Sequence, residues 1–194
     1  NFEQALIDLG IDSDGIVNGQ VLTSDIENVT NLNVNNKGIH DLTGIEGFAA
    51  LETLDVSSNQ VESLSFTQNL ALREVIFNHS LWLSEIDLTN NVNLELLRSS
   101  FSSLSELDLT NNTKLLELVL GEPAPSSNHE IGYLDLTQNA MLQKLQLINL
   151  QALQTADLRS GNNTILTDVF VECTVDGGFD CEPYPCLMVD DEVA

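Results

Sequence analysis

The side chains able to carry chemistry are unevenly represented in this chain, which has thirty Asp and Glu, six Lys and Arg, three His and three Cys in 194 residues. A zinc site needs closely spaced ligands such as His-x-x-x-His or Cys-x-x-Cys. His40, His79 and His129 lie far apart, and Cys173, Cys181 and Cys186 follow neither spacing. Ser102-Ser103 and Ser126-Ser127 lack the Gly-x-Ser-x-Gly setting that presents a nucleophile, and no phosphate-binding loop occurs. A glycosidase needs two carboxyls across a cleft, one with a raised pKa, and nothing in the sequence singles out such a pair. The chain therefore reads as a non-enzyme. Carboxylates also suit a hard cation such as calcium. Asp12-Ser13-Asp14-Gly15 has part of a calcium loop, but the full pattern would put Gly10 and Val21 where its first and last acids belong. Asp14-Gly15 and Asn18-Gly19 serve equally well as turns.

A repeated scaffold must position whatever these residues do. Leu107-Asp108-Leu109-Thr110-Asn111-Asn112 returns as Ile86-Asp87-Leu88-Thr89-Asn90-Asn91 and as Leu134-Asp135-Leu136-Thr137-Gln138-Asn139, with weaker copies from Leu64 and Ala156. The copies start 22, 21, 27 and 22 residues apart, a period that means a solenoid of stacked coils. In Leu104-x-x-Leu107-x-Leu109-x-x-Asn112, Leu107 and Leu109 point inward from a short strand and Leu104 fills the coil from the preceding turn. Asn59, Asn69, Asn91, Asn112 and Asn139 are expected to stack as one row of buried amides bonded to neighbouring backbone. A degenerate half-coil precedes each regular one. There the ninth position holds Ser80, Ser102, Pro123 and Leu150, and Ser99 stands where an inward Leu is expected. The sequence leaves open which half builds the continuous sheet.

Residues 29–172 read as the array. Ahead of them Phe2, Ala5, Leu6 and Leu9 recur at helical spacing, which predicts a helix over residues 2–9 stopped by Gly10. Residues 1–28 thus cap the first coil, whose core would otherwise be open. Residues 121–130, with Pro123, Pro125 and two serines, form a loop that leaves the stack. Residues 173–194 form an irregular cap, because Pro183 and Pro185 oppose regular structure. All three cysteines lie there, and such clustering points to a disulfide in a secreted protein. Cys173 and Cys181 are the candidate pair, and the odd count leaves one thiol free or parted from its partner. The apolar runs are too short to span a bilayer. The chain opens at Asn1 with neither an initiator Met nor a signal peptide, so a processed or trimmed start is expected. A formal net charge of −24 repels nucleic acid and anionic membranes and suits high ionic strength.

Leu-x-x-Leu-x-Leu-x-x-Asn resembles the leucine-rich repeat. The 21-residue form with a second Leu-Asp-Leu-Thr-x-Asn half resembles the nested bacterial class called IRREKO. Asn1 to Leu6, with Asp41-Leu42-Thr43-Gly44-Ile45, is similar to the start of secreted leucine-rich repeat proteins of the Bacteroidetes, and Ile39 to Leu54 resembles internalin repeats. The tail from Cys186 to Asp191 is similar to the cap that ends such arrays. The resemblance covers residues 1–172 and implies secretion or attachment to a bacterial surface. The expected fold is a mostly-β α/β repeat, a right-handed leucine-rich repeat solenoid of about six to seven coils. A short helical cap precedes it and an irregular, Cys-containing cap follows.

Outward positions alternate with the inward leucines. On the regular half Asp87, Asp108 and Asp135 form a ladder of like charges, about 4.8 Å apart, that makes them candidate calcium ligands. The neighbouring Thr ladder is not a flat uncharged plane of the kind that orders ice, because the Asp row and the loop interrupt it. On the degenerate half Ile76, Arg98, Val119, Gln146 and Phe170 point outward. A varied row is what selective recognition requires, and Ile76, Val119 and Phe170 would form an apolar stripe rimmed by charge. Trp82, flanked by Leu81 and Leu83 as core residues, falls by alternation on the opposite face, where it could stack on a sugar or anchor a protein, although a core or edge-packed Trp is the more common outcome for a residue so often buried. Sequons at Asn28, Asn78, Asn111 and Asn162 matter only in a glycosylating host. The leading expectation is a monomeric extracellular module that binds a protein partner, with no cofactor. The alternatives are a calcium-assisted glycan adhesin, using Trp82, Tyr133 and the 121–130 loop, and an architectural spacer.

Overall fold

The structure is a computed structural model that describes residues 1–122, 129–161, 165–172 and 186–189. Cys173, Cys181 and most of the 121–130 loop lie outside the described residues. Helix α1 (Phe2–Asp8) buries Phe2, Ala5 and Leu6, and the Phe2 ring lies 6.1 Å from that of Phe48. Gly10, at φ 69°, lets the chain reverse so that Ile11 N–H donates to the Leu6 carbonyl. Leu9 was expected on the buried face, but it caps the helix at this reversal and is exposed. A four-residue helix, α2 (Thr23–Ile26), tucks Ile26 into the core. Among the described residues no helix is long and apolar enough to cross a membrane.

The degenerate halves build the continuous sheet. Strands β1 (Asn31–Asn33), β2 (Thr53–Asp55), β4 (Glu74–Ile76), β6 (Leu96–Ser99), β7 (Glu117–Gly121), β9 (Lys144–Ile148) and β11 (Asp168–Glu172) lie parallel in that order. Their inward residues align in one column, in which Leu32, Leu54, Val75, Leu97, Leu118 and Leu145 are buried and Val169, on the last strand, is exposed. A parallel ladder needs only backbone partners and an apolar inner face, so the missing ninth-position Asn does not interrupt it. The regular halves give shorter ladders. Strands β3 (Ser63–Ser65) and β5 (Glu85–Asp87) pair, and β8 (Tyr133–Asp135), β10 (Thr155–Asp157) and β12 (Cys186–Met188) form a second group. Between β5 and β8 residues 105–109 form no strand, beside the coil that carries the 121–130 loop. The Asp-x-Thr phrase itself shortens these strands. Asp87 Oδ1 accepts from both the N–H and the hydroxyl of Thr89 (3.0 and 2.7 Å), Asp108 likewise from Thr110 (2.9 and 2.6 Å), and Asp135 from Thr137 (2.9 and 2.7 Å). Such local bonds compete with a ladder and turn the chain.

The tail expected to be irregular contains β12, which pairs in parallel with β10 and closes its open edge. The asparagines fall into two columns rather than one. Asn91 Nδ2 donates to the carbonyls of Phe66 and Asn69, Asn112 to those of Leu88 and Asn91, and Asn139 to those of Leu109 and Asn112, all at 2.8–3.1 Å. Asn69 begins that ladder at Ile45 and Phe48. Asn59 stands apart, after β2, where it accepts from Lys37 and Ile39 and donates to Val34, Val56 and Ser57. It belongs with Ser80 and Ser102 in the degenerate halves, because the ninth position of each half turns the chain at a different corner of the coil.

Candidate functional site

Pairing register places Asp55, Ile76, Arg98, Val119, Gln146 and Phe170 side by side on the outer face of the seven-stranded sheet. Glu74, Leu96, Glu117, Lys144 and Asp168 form the adjoining row. Five of the seven sequence-proposed binding residues therefore meet in one line. Ile76, Val119 and Phe170 do not make an unbroken apolar stripe, since Arg98 and Gln146 alternate with them. The row is mixed in chemistry instead.

Charge on this face is organised around Glu117. Its carboxylate accepts from Arg98 Nε at 2.9 Å, from Arg98 Nη2, and from Lys144 Nζ at 3.1 Å. Burial pushes the Glu117 carboxyl up, but bonds from Arg98 and Lys144 outweigh it and hold the group below the usual range. On the lead-in to the strands, Arg73 pairs with Glu95 at 2.7 Å. Three of the chain's six cations thus serve one face.

A depression of about 410 Å³ opens beside this row, where the strands end. Ser57, Asn78, Ser100 and Gly121 lie in its lining, with Arg98, Lys144, Gln146, His79 and Glu122 around them. Side chains stitch the strand ends together here. Ser57 Oγ accepts from Asn78 N–H, and Asn78 Oδ1 accepts from Ser100 N–H, both at 3.0 Å. His79 packs 5.2 Å from the Phe101 ring and lies 3.6 Å from the Glu122 carboxylate, two coils away. Nothing in the repeat phrase announces this depression, because it depends on register across six coils.

The remaining candidates lie elsewhere. Trp82 is 62% exposed, but Leu81, expected in the core, is 49% exposed beside it in the same turn, and only Leu83 is buried. Strand alternation does not apply in that turn. Tyr133 is exposed on β8, beside Glu106, Asp108 and Asp135, and so belongs to the regular halves rather than to the seven-stranded sheet. Trp82 and Tyr133 therefore do not combine into one aromatic surface on that sheet. Hydrogen bonds from Thr110 hold the Asp108 carboxyl below its ordinary value. Among the described residues no three Asp, Glu, His or Cys side chains converge as a ligand set. In the Asp12–Gly15 stretch, Asp14 accepts from Ile16 N–H and from Asn18 Nδ2, both at 2.8 Å, which makes a closed turn.

Sequence reasoning missed His129. It stands two residues ahead of Ile131, as Ser102 stands two ahead of Leu104 and Asn59 two ahead of Val61, and that spacing was the available signal. Its ring is buried and its Nδ1 lies 2.9 Å from Ser102 Oγ. Burial lowers its pKa to about 4, against a smaller opposing effect of the Ser99 carbonyl. The distance is that of a nucleophile–base pair, but both side chains are sealed inside the coil.

No family model and no curated protein matches this chain. Solved structures do. The functional domain of InlJ from Listeria monocytogenes is similar with a TM-score of 0.62 and 20% identity, over 87% of this chain and 40% of that one. An internalin, inlF, from the same organism is similar with a TM-score of 0.56 and 21% identity, over 87% of this chain and 54% of that one. The chain therefore spans between two fifths and about half of these structures. The fold is an internalin-like leucine-rich repeat solenoid of mostly parallel β-structure.

Proposed function

We propose that this chain is a non-catalytic, extracellular or surface-attached recognition module that binds a protein partner through the outer face of the seven-stranded sheet. The observation that carries this reading is the register of Asp55, Ile76, Arg98, Val119, Gln146 and Phe170 in one row. Apolar, cationic and amide groups alternate there at strand spacing, the kind of differing contacts from which specificity is built. Arg98 is an apt central anchor, since Glu117 holds its guanidinium in place before a partner arrives. A bare spacer has no need of such a row. The sealed Ser102–His129 pair favours a binding role over catalysis, because no substrate reaches it. The likeness to internalin solenoids and the cysteine-rich tail support an extracellular setting, and the charge of −24 favours a partner that is neither nucleic acid nor an anionic membrane.

The test is affinity capture from surface extracts of the source cells and their surroundings. The wild-type chain is compared with Val119→Asp on the sheet face and with Asp108→Ala on the regular halves. The expected result is a captured protein lost at least tenfold with Val119→Asp and retained with Asp108→Ala, the loss that a desolvated interface centre gives. Equal capture by all three chains would refute the assignment to this face.

A further inference from the structure

The depression at the strand ends combines Asp55, Arg98, Val119 and Gln146 of the protein-binding row with polar groups beyond the strands, and the result is a polar cup. Small-molecule sites of roughly 300–1,000 Å³ are usually lined by apolar and aromatic groups. This one, of about 410 Å³, is lined by serines, amides and charges. Its charges nearly cancel, with Arg98 and Lys144 facing Asp55, Glu122 and the bridging Glu117. An anionic ligand meets the Asp55 and Glu122 carboxylates, and a strongly cationic one meets both basic groups. A neutral ligand rich in polar groups meets neither penalty.

Two amides in the lining are free to meet a ligand. The Gln146 amide makes no hydrogen bond to the described residues. Asn78 is fixed through its Oδ1 by the Ser100 N–H at 3.0 Å, so its amide nitrogen is held in place as a donor. Sugar hydroxyls both donate and accept, and neighbouring hydroxyls match the paired donor and acceptor of a carboxamide or the two oxygens of a carboxylate. A peptide strand would instead seek an unpaired sheet edge, and its apolar side chains would find no greasy floor here.

We propose that this depression binds one neutral sugar residue, with Gln146, Asn78 and the Glu122 and Asp55 carboxylates as its hydrogen-bonding groups. The site shares Asp55, Arg98, Val119 and Gln146 with the protein-binding row, but it is read from the lining alone and does not need a protein partner.

Saturation-transfer NMR on the intact chain tests this with a panel of neutral hexoses, deoxyhexoses and N-acetylhexosamines. Gln146→Ala is the probe, since its side chain bonds none of the described residues and the fold loses no hydrogen bond with it. Asp108→Ala, on the regular halves, is the control. The expected outcome is saturation of at least one sugar with a Kd on the order of 1 mM. Binding should weaken about three- to tenfold in Gln146→Ala, the effect of one lost hydrogen bond, and stay unchanged in Asp108→Ala. Silence across the panel overturns the proposal, and so does saturation indifferent to Gln146→Ala. Saturation lost equally in Asp108→Ala would move the sugar off the depression, which also overturns it. Equal protein capture by the wild type and Val119→Asp refutes the protein-binding reading and leaves the saturation result standing, so the two readings fail separately.

Discussion

At the scale of single residues, the coil corners decide which polar groups enter the core. Asn amides fill one corner because each can reach two carbonyls of the coil before it. The other corner holds Asn59, then Ser80, Ser102 and His129, and the imidazole is the one titratable member. Ser99 and Ser102 face the ring, and no charged side chain contributes to its lowered pKa. The neighbouring Glu130 is exposed in solution. The folded chain holds His129 at about 4, below its ordinary 6.5, so the unfolded chain binds the proton more readily between those values. Stability from this group is therefore complete above pH 6.5 and is lost as the pH falls towards 4. The full difference amounts to roughly 3 kcal/mol. Urea denaturation from pH 7 to pH 4 should show a steeper loss in the wild type than in His129→Gln. Parallel curves for the two chains would show that the ring titrates freely.

At the scale of elements, the strands of the seven-stranded sheet leave by a common left-handed step. Asn36, Ser58, His79, Phe101 and Asn149 all have φ between 42° and 56° where the chain leaves the sheet. Left-handed backbone costs a residue other than Gly about 1–2 kcal/mol, yet each coil repeats it because the next half must turn there. Gly121, at φ 84°, takes the positive angle one position earlier in the coil that carries the loop, opposite Ile148, and a Cβ there would run into the Ile148 carbonyl. Gly121→Ala should cost more than about 2 kcal/mol, combining a steric clash with strain. Gly132→Ala, whose Cβ would meet nothing closer than 3.9 Å, should change stability by less than about 1 kcal/mol. Chemical denaturation of the two variants checks the contrast, and similar losses in both would remove the special role of Gly121.

At the scale of the molecule, the basic residues are too few to neutralise the acidic ones. Lys37, Arg73, Arg98, Lys144 and Arg159 each sit in an ion pair, and six basic residues cannot partner thirty acidic ones one for one. Self-repulsion across a −24 chain then outweighs a handful of surface pairs, each worth about 0–1 kcal/mol. Raising NaCl from about 20 mM to about 500 mM should raise the melting temperature by several degrees, because the screening length shortens to a few ångströms. A falling melting temperature would mean that the pairs, not the repulsion, dominate.

The repeat phrase alone determined the solenoid, its inward leucines and the outward rows, because a two-residue strand period fixes side-chain direction wherever the strand is regular. Ile76, Arg98, Val119, Gln146 and Phe170 were legible as a row for that reason. Turns carry no such period, so Leu81 was misplaced beside Trp82. Asn59 was joined to the wrong column because matching residue types do not say which corner of the coil they occupy. Tertiary structure decided the rest. It put the continuous sheet in the less regular half, since parallel pairing rewards aligned backbone and buried side chains rather than a repeated polar phrase. It gathered Asn78, Ser100, Glu122 and Gln146 around one depression, since stacked coils set side by side residues that the sequence holds more than twenty positions apart.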